Sequence, residues 1–170
     1  MLNEKLVTML NDQINMEWYS AYFYLDIYAY YTDANLNGFG NWYNVQAQEE
    51  RDHATLFMQY LLNNSVRPEL KAVAKPDVLF QDFRQPAVAA FGHEQKVTAS
   101  INAIYAVAYE LKDFRTMQFL DWFVKEQGEE EKNSDENIKK YDLFGSDPRG
   151  LYMLDSELGT RVYAPPSLVI

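Results

Sequence analysis

Four stretches of this chain read as apolar helical stripes, and each is interrupted by acidic side chains. The interruptions are Glu17 in the first stripe, Glu50 with His53 in QEERDH, Glu94 in FGHEQK, and Gln127 with Glu130 in KEQGEEEK. Ionised carboxylates set among Tyr, Trp, Phe and Leu are costly unless they are paired or bound to a cation. Four of them in equivalent places therefore call for a helix bundle that gathers them around metal, and two ions is the economical number.

Composition agrees with an all-α fold. A chain of 170 residues suits one domain, 1–170, and 48% hydrophobic residues with 13 Tyr describe a globular chain with a ring-rich core. The 7 Gly and 6 Pro gather near Gly38, Pro68, Pro76, Pro86, Gly145 to Gly150 and Pro165, which leaves long uninterrupted segments for helices. A net charge of -10 argues against nucleic acid and anionic membrane surfaces and favours cations as partners. The absence of cysteine excludes disulfides, thiolate iron–sulfur sites and cysteine zinc sites. No signal-like N-terminus or membrane-length apolar run is present, so a cytoplasmic location is expected.

Apolar residues at Leu6, Met9, Leu10, Ile14, Ala21, Leu25 and Tyr28 predict a first helix over about 3–31. Trp42, Val45, Leu56, Met58, Tyr60 and Leu61 carry a second over 38–64, antiparallel to the first because the connection is short. From Ser65 to about Phe80 no period holds, which predicts a long crossover that sets the third helix parallel to the second. That third helix is expected over 82–112 with Asp82 as its cap, and a fourth over 113–144, capped by Asp113. A short fifth helix over 148–158 follows. The result is a four-helix bundle with a long crossover and a short C-terminal helix.

Residues three apart share a helix face, so Glu50 and His53 can bind one ion, as can Gln127 and Glu130. Heights match as well. Glu17 lies about 15 residues before the first turn and Glu50 to His53 about 13 to 16 after it, which at about 1.5 Å per residue is one level. Glu94 and Gln127 to Glu130 stand in the same relation about the turn near Asp113. An oxygen-rich set with one imidazole suits iron better than copper or structural zinc. Di-iron carboxylate bundles carry two Glu-x-x-His pairs, whereas this chain has one, with Gln127-x-x-Glu130 in place of the other. The second ion, held by Glu50, Glu94 and Glu130, should bind more weakly. Glu49, Glu126 and Glu129, each one residue from a proposed ligand, offer a third, looser cation site or a transfer path.

The blocks EWYSAYFYLD, QEERDH, HEQ, WFVKEQGEEEK and LYMLDSELG, in order across the whole chain, resemble those of prokaryotic non-haem ferritins. That resemblance implies a shell of 24 subunits and a ferroxidase centre that oxidises Fe(II) with O2 or H2O2 and stores ferric mineral, without haem. It places Glu17, Glu50 and His53 at the first iron and Glu50, Glu94 and Glu130 at the second, with Gln127 nearby. It places Glu49, Glu126, Glu129 and Glu130 at a third site, gives Tyr24 a part in electron donation, and sets Trp122 close by. Gly128, inside the ligand turn, should loosen the Glu126 to Glu130 segment, since Gly in a helix costs about 1 kcal/mol relative to Ala.

Blander readings stand beside these. Glu49, Glu126 and Glu129 also fit a solvated face, Tyr24 an aromatic core stripe, and His93 a structural or exposed position. A di-iron oxygenase or peroxidase on the same bundle, or an iron-binding shell with an inactive centre, are the competing functions. Lack of cysteine disfavours a rubrerythrin-type peroxidase. Lack of the second histidine ligand disfavours a bacterioferritin.

Overall fold

The computed structural model describes residues 2–170. Its elements are α1 (Glu4–Asp33), α2 (Asn37–Asn63), α3 (Gln85–Glu110), α4 (Phe114–Phe144) and α5 (Pro148–Leu158), with no strand among the described residues. Side-chain caps mark three of the starts. Asn3 accepts from the Lys5 amide at 2.9 Å, Asp113 from Thr116 at 3.1 Å and Asp147 from Gly150 at 2.8 Å. The third helix begins at Gln85 rather than Asp82, yet Asp82 still accepts from the amides of Arg84 and Gln85, both at 2.9 Å. Pro86 sits in that first turn, where its missing N–H costs no helical bond.

Both hairpin turns are tight. Three residues join α1 to α2 and three join α3 to α4, and each reverses through one left-handed residue, Asn35 at φ 60° and Lys112 at φ 53°. The crossover between α2 and α3 lies along α1. Its Glu69 amide donates to Asn11 at 2.8 Å, its Ala72 carbonyl accepts from Asn15 at 3.1 Å, and its Phe83 carbonyl accepts from Tyr31 at 2.7 Å. Those anchors climb α1 from its first turns to its last, so α3 starts at the same end as α2 and runs parallel to it.

Two packed regions fill the bundle. One is aliphatic and phenylalanine-rich, with Leu6, Leu10, Ile14, Phe57, Leu61, Ile101, Leu120 and Phe123. The other is built on Phe23, Tyr24, Ile27, Tyr31, Phe39 and Tyr43, where Tyr31 stacks on Tyr43 at 5.7 Å and on Phe39 at 4.9 Å. The buried stripe of α1 runs through Phe23, Tyr24, Ile27 and Tyr31, so Leu25 and Tyr28 face outward, 42% and 36% exposed, instead of inward as their spacing suggests. A period of 3.6 drifts against a strict three-and-four count, and over the roughly six turns that precede them the drift carries those two residues off the buried face. Leu143, in the last turn of α4, is exposed too.

The short fifth helix closes the tyrosine end by burying Leu154 and Leu158. It also completes α2, whose leading residue Leu36 offers no side-chain cap: Asp155 accepts from the amides of Gly38 at 2.8 Å and Phe39 at 2.9 Å. The approach is so close that a Cβ on residue 38 would lie 1.6 Å from the Asp155 carbonyl oxygen, which is why glycine stands there.

Candidate metal centre

Between the two packed regions lies a belt of buried polar side chains. Glu17, Glu50, His53, Glu94, Gln127 and Glu130 are all 4% exposed or less. Glu17 comes from the middle of α1, Glu50 and His53 from consecutive turns of α2, Glu94 from α3, and Gln127 and Glu130 from consecutive turns of α4. Donor atoms of Glu17, Glu50 and His53 lie within 4.8 Å of one another. The His53 Nδ1 stands 3.4 Å from Glu50 Oε2, and the imidazole is walled edge-on by Trp122 and Phe123, with ring centroids at 5.6 and 5.7 Å.

Supporting hydrogen bonds orient three of the four carboxylates. Gln13 donates to Glu17 Oε1 at 2.8 Å and is itself fixed by the Ser100 hydroxyl at 2.5 Å. Gln46 donates to Glu50 Oε1 at 2.8 Å. On Glu94, the Tyr24 hydroxyl donates to one oxygen and the Gln127 amide to the other, the latter at 3.0 Å. Gln127 therefore presents its nitrogen to the centre and positions Glu94, where the sequence suggested a direct ligand. One carboxylate oxygen has no partner at all: Glu17 Oε2 is buried and unbonded. A buried orphan oxygen beside a histidine and a second carboxylate is what a cation would satisfy, so these residues fit a metal.

Electrostatics point the same way. Burial, then the neighbouring Glu50, pushes Glu17 up to about 8 and Glu130 likewise up to about 8. Burial, with Glu50 and Glu130 behind it, holds Glu94 well above the usual carboxylate range. Glu50 is the exception. Burial pushes it up, but the hydrogen bond and charge of His53, helped by Gln46, override that and hold it low. Burial lowers His53, and the Glu50 contact outweighs it, raising the imidazole to about 10. Metal-free, the belt thus holds protons on Glu17, Glu94, Glu130 and His53 around one ionised carboxylate. Metal binding must expel those protons.

The outer acidic residues are not gathered in the same way. Glu49 is mostly buried against Arg161, whose guanidinium reaches its carboxylate at 2.5 Å. Glu126 is half-buried, and Glu129 is exposed and pairs with Lys125 at 3.6 Å. Gly128 is exposed, with open space where a Cβ would go. His93 is buried, not exposed, and its Nε2 lies 2.7 Å from the Ser20 hydroxyl.

Sequence reasoning missed the supporting amides, although a signal was present. Gln13 precedes Glu17 by four residues and Gln46 precedes Glu50 by four, the same one-turn spacing on two helices. Arg161 left no local trace, since it reaches the belt from more than 100 positions away in sequence.

Comparison with known proteins bears on the fold and the family. Residues 7–144 match a family model described as a ferritin-like domain. A bacterial non-heme ferritin of Staphylococcus aureus is 34% identical over 163 residues, covering 96% of this chain and 98% of the relative. A probable bacterial non-heme ferritin-like protein of Haemophilus influenzae is 32% identical over 159 residues, covering 94% and 96%. Among solved structures, an open pore ferritin from the archaeon Archaeoglobus fulgidus superposes with a TM-score of 0.93 at 39% identity, over 95% of this chain and 100% of that one. With its bundle, its belt of carboxylates and these relatives in agreement, the chain belongs to the ferritin family, in its prokaryotic non-haem branch.

Proposed function

We propose that this chain is an iron-storage ferritin that oxidises Fe(II) at the buried belt and keeps the ferric product inside a shell of its own copies. The observation that carries the reading is the buried Glu17 oxygen that no protein donor reaches, in a cluster with Glu50 and His53 that a cation would complete. Glu17, Glu50 and His53 hold one Fe(II). Glu50, Glu94 and Glu130 hold the other, with Glu50 shared between them. Gln13, Gln46 and Gln127 keep the carboxylates aimed.

The chemistry is a two-electron transfer. Each Fe(II) gives one electron, and O2 takes the two electrons with two protons to become H2O2, or H2O2 takes them to become two waters. The residues supply charge as well as position, because the deprotonated carboxylates favour the higher-charged ferric product. Tyr24, bonded to Glu94 and fully buried, is placed to donate an electron when the oxidant needs more than the two irons provide. Replacing Tyr24 with Phe should slow repeated turnover several-fold while leaving Fe(II) affinity nearly unchanged; superimposable stopped-flow traces would reject this role.

Assembly is part of the same reading. No helix among the described residues is long and apolar enough to cross a membrane, and the proposed location is the cytoplasm. Tyr22, Leu25 and Tyr28 on α1, and Tyr152 and Met153 on α5, leave apolar surface exposed, which supports a homo-oligomer, proposed as a 24-mer. The deciding experiment is anaerobic Fe(II) titration followed by oxygen, with the mass of the particle measured on the same sample. Rapid oxidation, uptake of many irons and a particle of about half a megadalton, as twenty-four copies of 19.9 kDa require, support storage. A monomer or dimer that binds two irons and grows no mineral would make the protein a di-iron redox enzyme instead.

A further inference from the structure

After α5 the chain turns back and lies against α2 and α4. Asn41 donates to the Arg161 carbonyl at 2.9 Å, Tyr163 donates to Asp52, and Trp122 donates to Ser167 at 3.0 Å. Arg161 makes the densest set of contacts. Its guanidinium donates to the Trp42 carbonyl at 3.2 Å, to Gln46 Oε1 at 2.8 Å and to Glu49 Oε2 at 2.5 Å, and stacks 4.2 Å from the centre of the Trp42 ring. Trp42, Gln46, Glu49 and Asp52 are spaced four, three and three residues apart, so the tail follows one face of α2.

Two of those contacts reach the centre at one remove. Gln46, held through its carbonyl by Arg161, donates its amide to Glu50. Trp122, held by Ser167, walls the His53 ring. The Arg161 and Glu49 side chains are only 14% and 18% exposed, so their pairing is a shielded one. A guanidinium fork suits this place because it can serve an amide oxygen and a carboxylate together.

Charge counting gives the arrangement its meaning. The carboxylates of Glu17, Glu50, Glu94 and Glu130 balance two dications. Glu49, next in sequence to Glu50, is a fifth carboxylate beside that balanced set. Left free, it would add a negative charge at the edge of the centre and a ligand for another cation. We propose that Arg161 is a tethered cation that takes that place: it engages Glu49, limits the centre to two dications, and fixes the Gln46 amide that positions Glu50. This rests on the two-ion centre proposed above. Arg161 acts through Glu49 and Gln46, as a positioning residue that sets the number of ions held.

Anaerobic Co(II) titration, followed by the visible ligand-field bands and by calorimetry, tests the idea without any redox step. The unaltered protein should saturate at two Co(II) per subunit. Arg161→Gln should raise the count to three, Arg161→Lys should keep it at two by retaining the charge, and Arg161→Gln with Glu49→Gln should return it to two. A count that stays at two in Arg161→Gln would overturn the proposal, because a strap that merely pins the tail leaves stoichiometry unchanged. Should that variant fail to assemble, Arg161→Met, which keeps the aliphatic stem and removes the charge, decides in the same titration: a count of three supports the proposal and a count of two overturns it. Fewer than two ions on the unaltered protein would instead sink the proposed centre itself.

Discussion

The two hairpins meet at the same belt but bring different chemistry to it. From α1 and α2 come Glu17, Glu50 and His53, with donor atoms within 4.8 Å of one another and one carboxylate kept ionised by an imidazole. From α3 and α4 come Glu94, Gln127 and Glu130, with no imidazole, and with both oxygens of Glu94 already accepting from neutral donors. Both halves hold protons that a cation must displace, on Glu17 and His53 in one and on Glu94 and Glu130 in the other. Only the second must also give up hydrogen bonds on both oxygens of its Glu94. Two ions bound by such unequal halves should differ in affinity, and the weaker should be the one that exchanges.

Removing the stronger half breaks the comparison outright. Glu50→Ala with His53→Ala should lower the initial rate of Fe(II) oxidation by on the order of 100-fold or more, with the particle still assembled. Glu94→Ala should spare one tight ion. Equal losses of binding in the two variants, read by titration, would mean that the halves are not distinct.

Acid should act through the same residues. Glu17 and Glu130, raised to about 8, are protonated below that value and must ionise to bind metal. Cation affinity should therefore fall as pH drops from about 8, and metal binding should release protons measurable in a weakly buffered titration. Stability of the metal-free protein runs the opposite way. A carboxyl raised from 4.5 to about 8 on folding contributes its stability in full below 4.5 and loses it as pH climbs towards 8. Melting temperature should decline across that window without metal and recover with it; a flat profile would contradict the protonated belt.

A swap sharpens the contrast from the other side. Gln127→Glu with Glu130→His gives α4 the Glu-x-x-His that α2 has, and should tighten the second ion by about tenfold. Unchanged exchange of that ion would show that the imidazole is not what separates the halves. The smallest effect belongs to Gly128. It is exposed and helical with open space at its Cβ position, so Gly128→Ala should stabilise α4 by about 1 kcal/mol in denaturant unfolding.

Much of this was legible in the chain because it is carried by local periodicity. The helices, the short turns and the common height of Glu17, Glu50, Glu94 and Glu130 follow from spacing alone, since rise per residue converts sequence distance into position along a bundle. What spacing could not supply was rotation accumulated over long helices, which put Leu25 and Tyr28 outside. It also could not supply contacts made across the fold. The Gln127 amide turns its nitrogen to Glu94 because Glu94 and Thr98 both offer oxygens there. Glu49 faces Arg161 because the tail doubles back, a fact of tertiary structure that no window of residues contains.

Asp155 has a consequence for the order in which the molecule is completed. Synthesis delivers α2 more than ninety residues before the aspartate that caps it, and Arg161 arrives six residues later still. The helix that carries Glu50 and His53 is thus extruded with its first amides open to water and Glu49 without its cation, and both wants are met by the last turn of α5 and the stretch of tail behind it. A chain cut short after Glu130 in α4 holds every proposed ligand and lacks the two groups, Asp155 and Arg161, that finish their setting.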